Sequence, residues 1–275
     1  KGYALEGVRG GAAQLSVSWS KYYGYPPAHE VKGGVYVTDA VDTGYTDLYE
    51  PGTVTVFYGK YGIGGQLGNT RGRADLELSS APGGLSDWSF ARLTGLVTLH
   101  GKFGRLGFAF RLLGGVTRSG QGGLPIQEKF TLHGAGSGDT FSRPYLRHPS
   151  SLYGLPRSRY HLYGDANLRG FFAHGFSGAE GVVSTTMEAT RTLPVSLLEI
   201  TARSFVDLGW IWSQSDGFHG DILADAGPGL AFRKRLLGSS WTFRVDLPLW
   251  VNRPTEGKSP LDVSRWVMGL EIGLP

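Results

Sequence analysis

Trp241-Thr242-Phe243-Arg244-Val245-Asp246-Leu247-Pro248-Leu249-Trp250-Val251 places large apolar side chains at every second position. Trp241, Phe243, Val245, Leu247, Leu249 and Val251 share one face; Thr242, Arg244, Asp246 and then Asn252 share the other. A period of two is the mark of a β-strand with one apolar side. The alternation recurs toward the C-terminus, where Trp266, Met268, Leu270, Ile272 and Leu274 oppose Gly269, Glu271 and Gly273. Upstream, Ile200, Ala202, Val206, Leu208, Trp210 and Trp212 oppose Thr201, Arg203, Asp207 and Gly209. Val183, Met187 and Ala189 oppose Ser184, Thr186 and Glu188, and Leu106, Phe108, Phe110 and Leu112 oppose Arg105, Gly107 and Arg111.

Parity alone does not say which face meets water. The faces opposite the apolar ones carry glycine, small polar side chains and isolated charges, which suits a wet interior better than a soluble protein's surface. The apolar runs are also long. A tilted strand that spans a bilayer needs about 9–11 residues, against about 5–6 for an ordinary strand. Tryptophans at the run ends, Trp19, Trp88, Trp212, Trp250 and Trp266, fit interfacial girdles. The expectation is an all-β protein: a transmembrane antiparallel β-barrel with apolar side chains toward lipid and charges inside.

Composition agrees. Of 275 residues 44 are Gly, more than twice the usual share of about 7%, as tight turns between many strands require. There is no cysteine, which excludes disulfides, thiolate metal sites and a Cys nucleophile. The net charge of +4 is scattered without runs of like sign, so no nucleic-acid partner is expected. No stretch of 18 apolar residues exists, which rules out a spanning helix. Lys1-Gly2-Tyr3-Ala4 shows no signal-peptide apolar region, so the chain is expected to be a mature form or a cut from a longer precursor.

Strand-like segments fall at 3–21, 31–39, 53–61, 70–79, 88–100, 104–118, 126–136, 172–193, 196–213, 220–235, 241–252 and 264–275. That is about twelve, the even count expected of a closed barrel. Gly101-Lys102-Phe103-Gly104 and Gly238-Ser239-Ser240 read as short turns. Stretches 22–30, 40–51, 80–87, 119–125, 214–219 and 253–262 are longer and polar, and 137–170 exceeds thirty residues. A connection that long is usually functional or disordered, and its Arg and aromatic content argues against disorder. The chain reads as a single barrel domain, 1–275, with 137–171 as a lumenal or extracellular loop.

The long loop ends in Gly164-Asp165-Ala166-Asn167-Leu168-Arg169-Gly170-Phe171. Two strands later stands Phe205-Val206-Asp207-Leu208-Gly209, then Ala226-Gly227-Pro228-Gly229-Leu230-Ala231-Phe232-Arg233, then Phe243-Arg244-Val245-Asp246-Leu247-Pro248-Leu249. In this order the motifs resemble the bacterial surface antigen superfamily, the barrels of the BamA, TamA and two-partner-secretion transporter type. The resemblance covers residues 125–275; residues 1–124 share only the general pattern. It implies that the Arg169-Gly170-Phe171 tip folds back into the lumen before the last five strands, where Arg169 meets Asp207 of the Phe205-x-Asp207 motif. It also implies a barrel of sixteen strands, of which about twelve are found here, and an N-terminal periplasmic module, which this sequence does not contain. Parity supports the pairing separately: Asp207 lies on the face of Arg203 and Gly209, and a carboxylate in a partly dry lumen needs a partner such as a guanidinium. The alternative is a solvated Arg169, with Asp207 paired to Arg203 or Arg244.

Catalytic, cofactor and metal sites are not expected. His29, His100, His133, His148, His161, His174 and His219 show no metal-ligand spacing. His133 and His219 near strand ends leave a barrel hydrolase conceivable, but no nucleophile motif accompanies them. The glycines of 62–68 suit a turn better than a phosphate loop. Arg105, Arg111, Glu188, Arg191, Arg203, Asp225, Arg233, Arg244, Asp246 and Glu271 read as lumen charges, lining either a pore or a salt-bridged plug. The functional expectation is a bacterial outer-membrane barrel assisting insertion or translocation of protein or lipid. The alternatives are a membrane anchor within a larger protein or envelope complex, and a small pore. Its partners would be the lipid bilayer and other envelope subunits.

Overall fold

The computed structural model describes residues 2–6, 12–23, 27–40, 50–132, 165–171, 178–193, 199–213, 220, 222–236 and 239–273. One antiparallel sheet of thirteen strands dominates: β1 Gly2–Glu6, β2 Ala12–Tyr23, β3 Ala28–Ala40, β4 Gly52–Leu67, β5 Thr70–Ala81, β6 Phe90–Phe103, β7 Leu106–Ser119, β8 Gly181–Leu193, β9 Glu199–Trp212, β10 Ile222–Leu236, β11 Ser239–Asp246, β12 Trp250–Val251 and β13 Val267–Gly273. Each strand pairs with its sequence neighbour from β1 to β11, β13 follows β11, and the short β12 pairs with β10. Six strands, β8 to β13, follow the loop; apart from the two-residue β12 they are five, the number the resemblance implied.

Short connections gather at one end of the sheet. Gly68-Asn69 and Gly104-Arg105 are two-residue turns, with Gly68 at φ 57° and Gly104 at φ 60°, the left-handed backbone that tight hairpins demand. The strand ends that the longer connections join, among them Ser119 with Gly181 and Val251 with Val267, lie at the other end. Short turns on one side and long loops on the other is the asymmetry of outer-membrane barrels.

The faces are inverted relative to a soluble protein. On β9, Val206, Leu208 and Trp210 are 40–47% exposed, while Asp207 between them is fully buried. Outward apolar positions on β6 run from Leu93 to Phe103. Ten residues at about 3.3 Å each, tilted about 40°, make a belt of about 25 Å, the height of a hydrocarbon core.

Several expectations need correction. Residues 3–21 form two strands, β1 and β2, paired antiparallel; the glycine-rich 7–11 between them carries the turn signal that the alternation obscured. Segment 126–136 is not a strand in its described part. Ile126–Glu128 is a 3-10 turn, and Phe130 makes one isolated bridge to Ala179, because this segment lies inside the sheet's curve and fills it with apolar side chains. Trp88 is no girdle residue; it is buried against Val54, Val56, Phe90 and Leu124. Arg105 sits exposed in a turn, and Arg191 is exposed on the outward parity of Met187. Arg233 has inward parity but lies exposed at the rim, 3.7 Å from Glu199. The side chain of Glu271, loop residues 137–164, and His133 and His219 lie outside the described residues.

The opening stretch breaks in its middle. Asp246 pairs with Gly229, but Trp250 pairs with Ala226. Three residues, 247–249, therefore oppose two, 227–228, which is a bulge, and an extra residue flips side-chain parity. Trp250 is thus outward and Val251 is buried, the reverse of the uninterrupted reading. Pro248 has no N–H for the ladder, and Gly227 accepts the close approach of the Leu247 carbonyl, which a Cβ would block.

Among the described residues no ladder joins β1 to β13, so the closed cylinder expected from the strand count is an open sheet here. Each edge keeps backbone donors and acceptors without a strand partner in that set.

Candidate functional site

The loop's return limb enters the concave face at Asp165 and ends in a 3-10 turn, Arg169–Phe171. Its backbone is held by Ala166 N–H to the Thr131 carbonyl (3.0 Å) and Leu168 N–H to the Leu132 carbonyl (2.9 Å). Asn167 takes φ 60°, a conformation Asn tolerates better than most side chains, and its amide donates to Thr186 at 2.7 Å. Leu168 seats over Gly209, and Phe171 joins a buried group with Leu113, Val182, Ile211 and Val251. Gly170 lies where a Cβ would strike Val251 and Asp225. The middle position of the triplet therefore has no room for a side chain.

Arg169 is fully buried among carboxylates. Its Nε is 3.0 Å from Asp207 Oδ2, Nη2 is 2.5 Å from Glu188 Oε1, and Nη1 is 3.3 Å from Asp246 Oδ2. The guanidinium carbon stands 3.9 Å from the centre of the Phe205 ring, a desolvated cation–π contact. Phe205 and Asp207 are two apart on one strand, so both face inward and grip the same guanidinium by its face and its edge. Arg203 bonds the second oxygen of Glu188, and Arg244 Nε is 3.4 Å from Asp246. Asp225, fully buried, stands opposite Asp207 in the β9–β10 register.

The structure thus brings Arg169, Gly170, Phe171, Phe205 and Asp207 together, with Asp207 on Arg169 while Arg203 and Arg244 serve Glu188 and Asp246. Glu188, Asp225 and Asp246 were legible only as lumen charges. Their inward parity put them on the same face as Asp207, but gave neither their register against it nor their place around Arg169. The site is sealed from solvent, so it can clamp a loop but cannot receive a substrate in this state. Among the described residues no group of three His, Cys, Asp or Glu side chains is placed to hold a metal ion.

The loop's outgoing limb is anchored separately, which sequence reasoning missed. Glu128, 6% exposed, accepts from the Tyr36 hydroxyl at 3.1 and 3.2 Å and lies 3.4 Å from Arg92 Nη1. Arg92 also faces the Phe130 ring at 5.0 Å. Gln127 and Glu50 exchange side-chain–backbone bonds of 3.0 and 3.2 Å. Burial pushes the Glu128 carboxyl above its ordinary range, and Arg92 and Tyr36 pull against that. Asp165 ties the two limbs, accepting from Thr131 N–H at 2.8 Å while its carbonyl accepts from Arg111 at 2.8 Å. No sequence periodicity marks a glutamate whose partners lie 92 and 36 residues away.

No protein-family model and no curated protein matches the sequence. Among solved structures, CdiB from Escherichia coli superposes with a TM-score of 0.61 at 12% identity, over 96% of this chain and 45% of that one. CdiB from Acinetobacter baumannii is also 12% identical over 96% of this chain and 50% of that one, with a TM-score of 0.42. The chain spans about half the length of these structures. At this identity the first likeness establishes the barrel-type all-β fold.

Proposed function

We propose that the chain is a bacterial outer-membrane barrel of the surface-antigen type, assisting insertion or translocation of protein or lipid. In this reading the Arg169 clamp holds the long loop inside. The observation that carries it is the convergence of Arg169, Phe205 and Asp207, residues of two separately recognised motifs, on one buried contact. The inverted faces and the fold shared with CdiB support the membrane setting. An anchoring role in a larger envelope protein remains the competing reading, because the Arg169 side of the lumen is filled.

The test uses the purified chain in lipid vesicles with an unfolded eight-stranded outer-membrane protein as probe. Folding of the probe, read as a heat-resistant gel band, should run several-fold faster than in protein-free vesicles. Alternatively, an unfolded polypeptide should become protected from external protease. Neither effect, with the barrel itself correctly inserted, leaves anchoring as the function.

A further inference from the structure

The outward side of the sheet carries its charges at its two ends. Between them, the outward positions from β2 to β11 hold uncharged side chains, among them Phe57, Leu76, Leu112, Met187 and Leu208. At the long-loop end the outward charges are of both signs, Asp39 on β3 and Arg118 on β7. At the short-turn end, among the described residues, they are all cations. Lys21 stands on β2, Arg191 on β8 and Lys234 on β10, and Arg105 lies exposed in the turn between β6 and β7. Glu199, the acid at this end of β9, has inward parity and faces Arg233 at 3.7 Å.

Two of these cations are neighbours. Arg191 stands directly opposite Leu106, and Arg105 precedes Leu106 in the chain. One residue of rise and one strand spacing put their Cα atoms about 6 Å apart, so two long side chains can reach one phosphate. The planar guanidinium fork matches phosphate oxygens in pairs. Beside them Phe103 is 85% exposed, and Leu67, at the tip of the adjacent hairpin, is 88% exposed. Both have outward parity. Large apolar side chains bare at hairpin tips are costly in water, and they fit the boundary between headgroups and acyl chains. That boundary at the tips sets Arg105 and Arg191 at the level of the lipid phosphates. A headgroup with its own ammonium would bring a further cation to this cationic rim. An anionic phospholipid supplies the opposite charge without one.

We propose that the short-turn rim around Arg105 and Arg191 binds the phosphate of an anionic phospholipid, of the phosphatidylglycerol type, from the leaflet in which those turns lie. This rests on the membrane reading above and not on transport. Because the chain lacks cysteine, a single thiol carrying an environment-sensitive dye reports cleanly. Ala189→Cys places it at the outward position next to Arg191 on β8, and Leu78→Cys places it on the outward side of β5. Barrels shown to be folded by heat-resistant gel mobility are reconstituted in phosphatidylcholine vesicles. These contain a minor fraction of brominated phosphatidylglycerol or, in parallel, of brominated phosphatidylcholine. The relative association constant read at residue 189 should favour phosphatidylglycerol about tenfold, the scale of two cations at an anionic surface. At residue 78 the two lipids should quench alike. Arg105→Gln with Arg191→Gln should bring the preference at residue 189 near parity, and Arg118→Gln, at the other end, should leave it intact. Equal quenching by the two lipids at residue 189, as an acidic protein partner for the rim would give, overturns the proposal. A preference that survives the double substitution, or one equally strong at residue 78, overturns it too. Folded barrels quenched by neither lipid at either residue refute the membrane reading itself.

Discussion

Arg169→Ala tests the clamp most directly. The site holds four carboxylates (Glu188, Asp207, Asp225 and Asp246) against three guanidiniums (Arg169, Arg203 and Arg244). Removing Arg169 takes the formal balance from −1 to −2 in a space closed to water, and strips Asp207 of the cation at 3.0 Å. Breaking one side of a buried pair costs about 3–5 kcal/mol, and losing a desolvated cation–π contact adds about 2 kcal/mol. Protonation of a carboxyl or rearrangement of Arg203 or Arg244 recovers part, so about 3–5 kcal/mol is the working figure. At about 1.4 kcal/mol per factor of ten, docked loop falls relative to undocked by two to four powers of ten. The assay is amide hydrogen exchange of residues 166–171 in the reconstituted barrel. Exchange should accelerate by about 10²–10⁴ in Arg169→Ala and by less in Arg169→Lys, which keeps charge but not the planar fork. Arg233→Ala, at the exposed rim, should leave it unchanged. Exchange in Arg169→Ala within threefold of wild type would refute the reasoning, since the guanidinium would then not hold the limb.

Gly227→Ala should lower the temperature at which the barrel loses its heat-resistant mobility, because its Cβ meets the Leu247 carbonyl at the bulge; strain of about 1–3 kcal/mol is expected, and an unchanged transition would show that the bulge relaxes freely. Single thiols carrying an environment-sensitive dye should be quenched by brominated lipid at Met187 and not at Ser184, its inward neighbour on β8; equal quenching would remove the inverted-face reading. Burial raises the Glu128 carboxyl, against Arg92 and Tyr36 and with Asp165 and Glu77. Its contribution to docking of the outgoing limb is therefore full below the ordinary carboxylate pKa of about 4.3 and is lost as pH rises through the raised value. Exchange of the 127–129 amides, corrected for intrinsic rates, should show weaker protection at pH 8 than at pH 5; the reverse order contradicts it.

The strand content and the sense of the sheet were legible in the sequence because alternation is a local property. Val206, Asp207 and Leu208 need no distant contact to be assigned to opposite faces, and the inverted sense followed from glycine and charge opposite the long apolar runs. The Arg169, Phe205 and Asp207 set was legible too, since both inward residues of Phe205-x-Asp207 share parity and the loop tip carried a recognisable triplet. What alternation could not supply was register across strands. That Trp250 faces outward depends on a one-residue bulge at 247–249, and a bulge is visible only when the partner strand is counted. The antiparallel break of 3–21 into two strands, the lack of a ladder between β1 and β13 among the described residues, and the inward course of 126–132 are likewise decided by what each segment lies against. The acidic surround of Arg169 and the hold of Tyr36 and Arg92 on Glu128 join residues from up to five elements, and such convergence is a property of the folded sheet's curvature, which brings distant strands' inward faces within bonding distance.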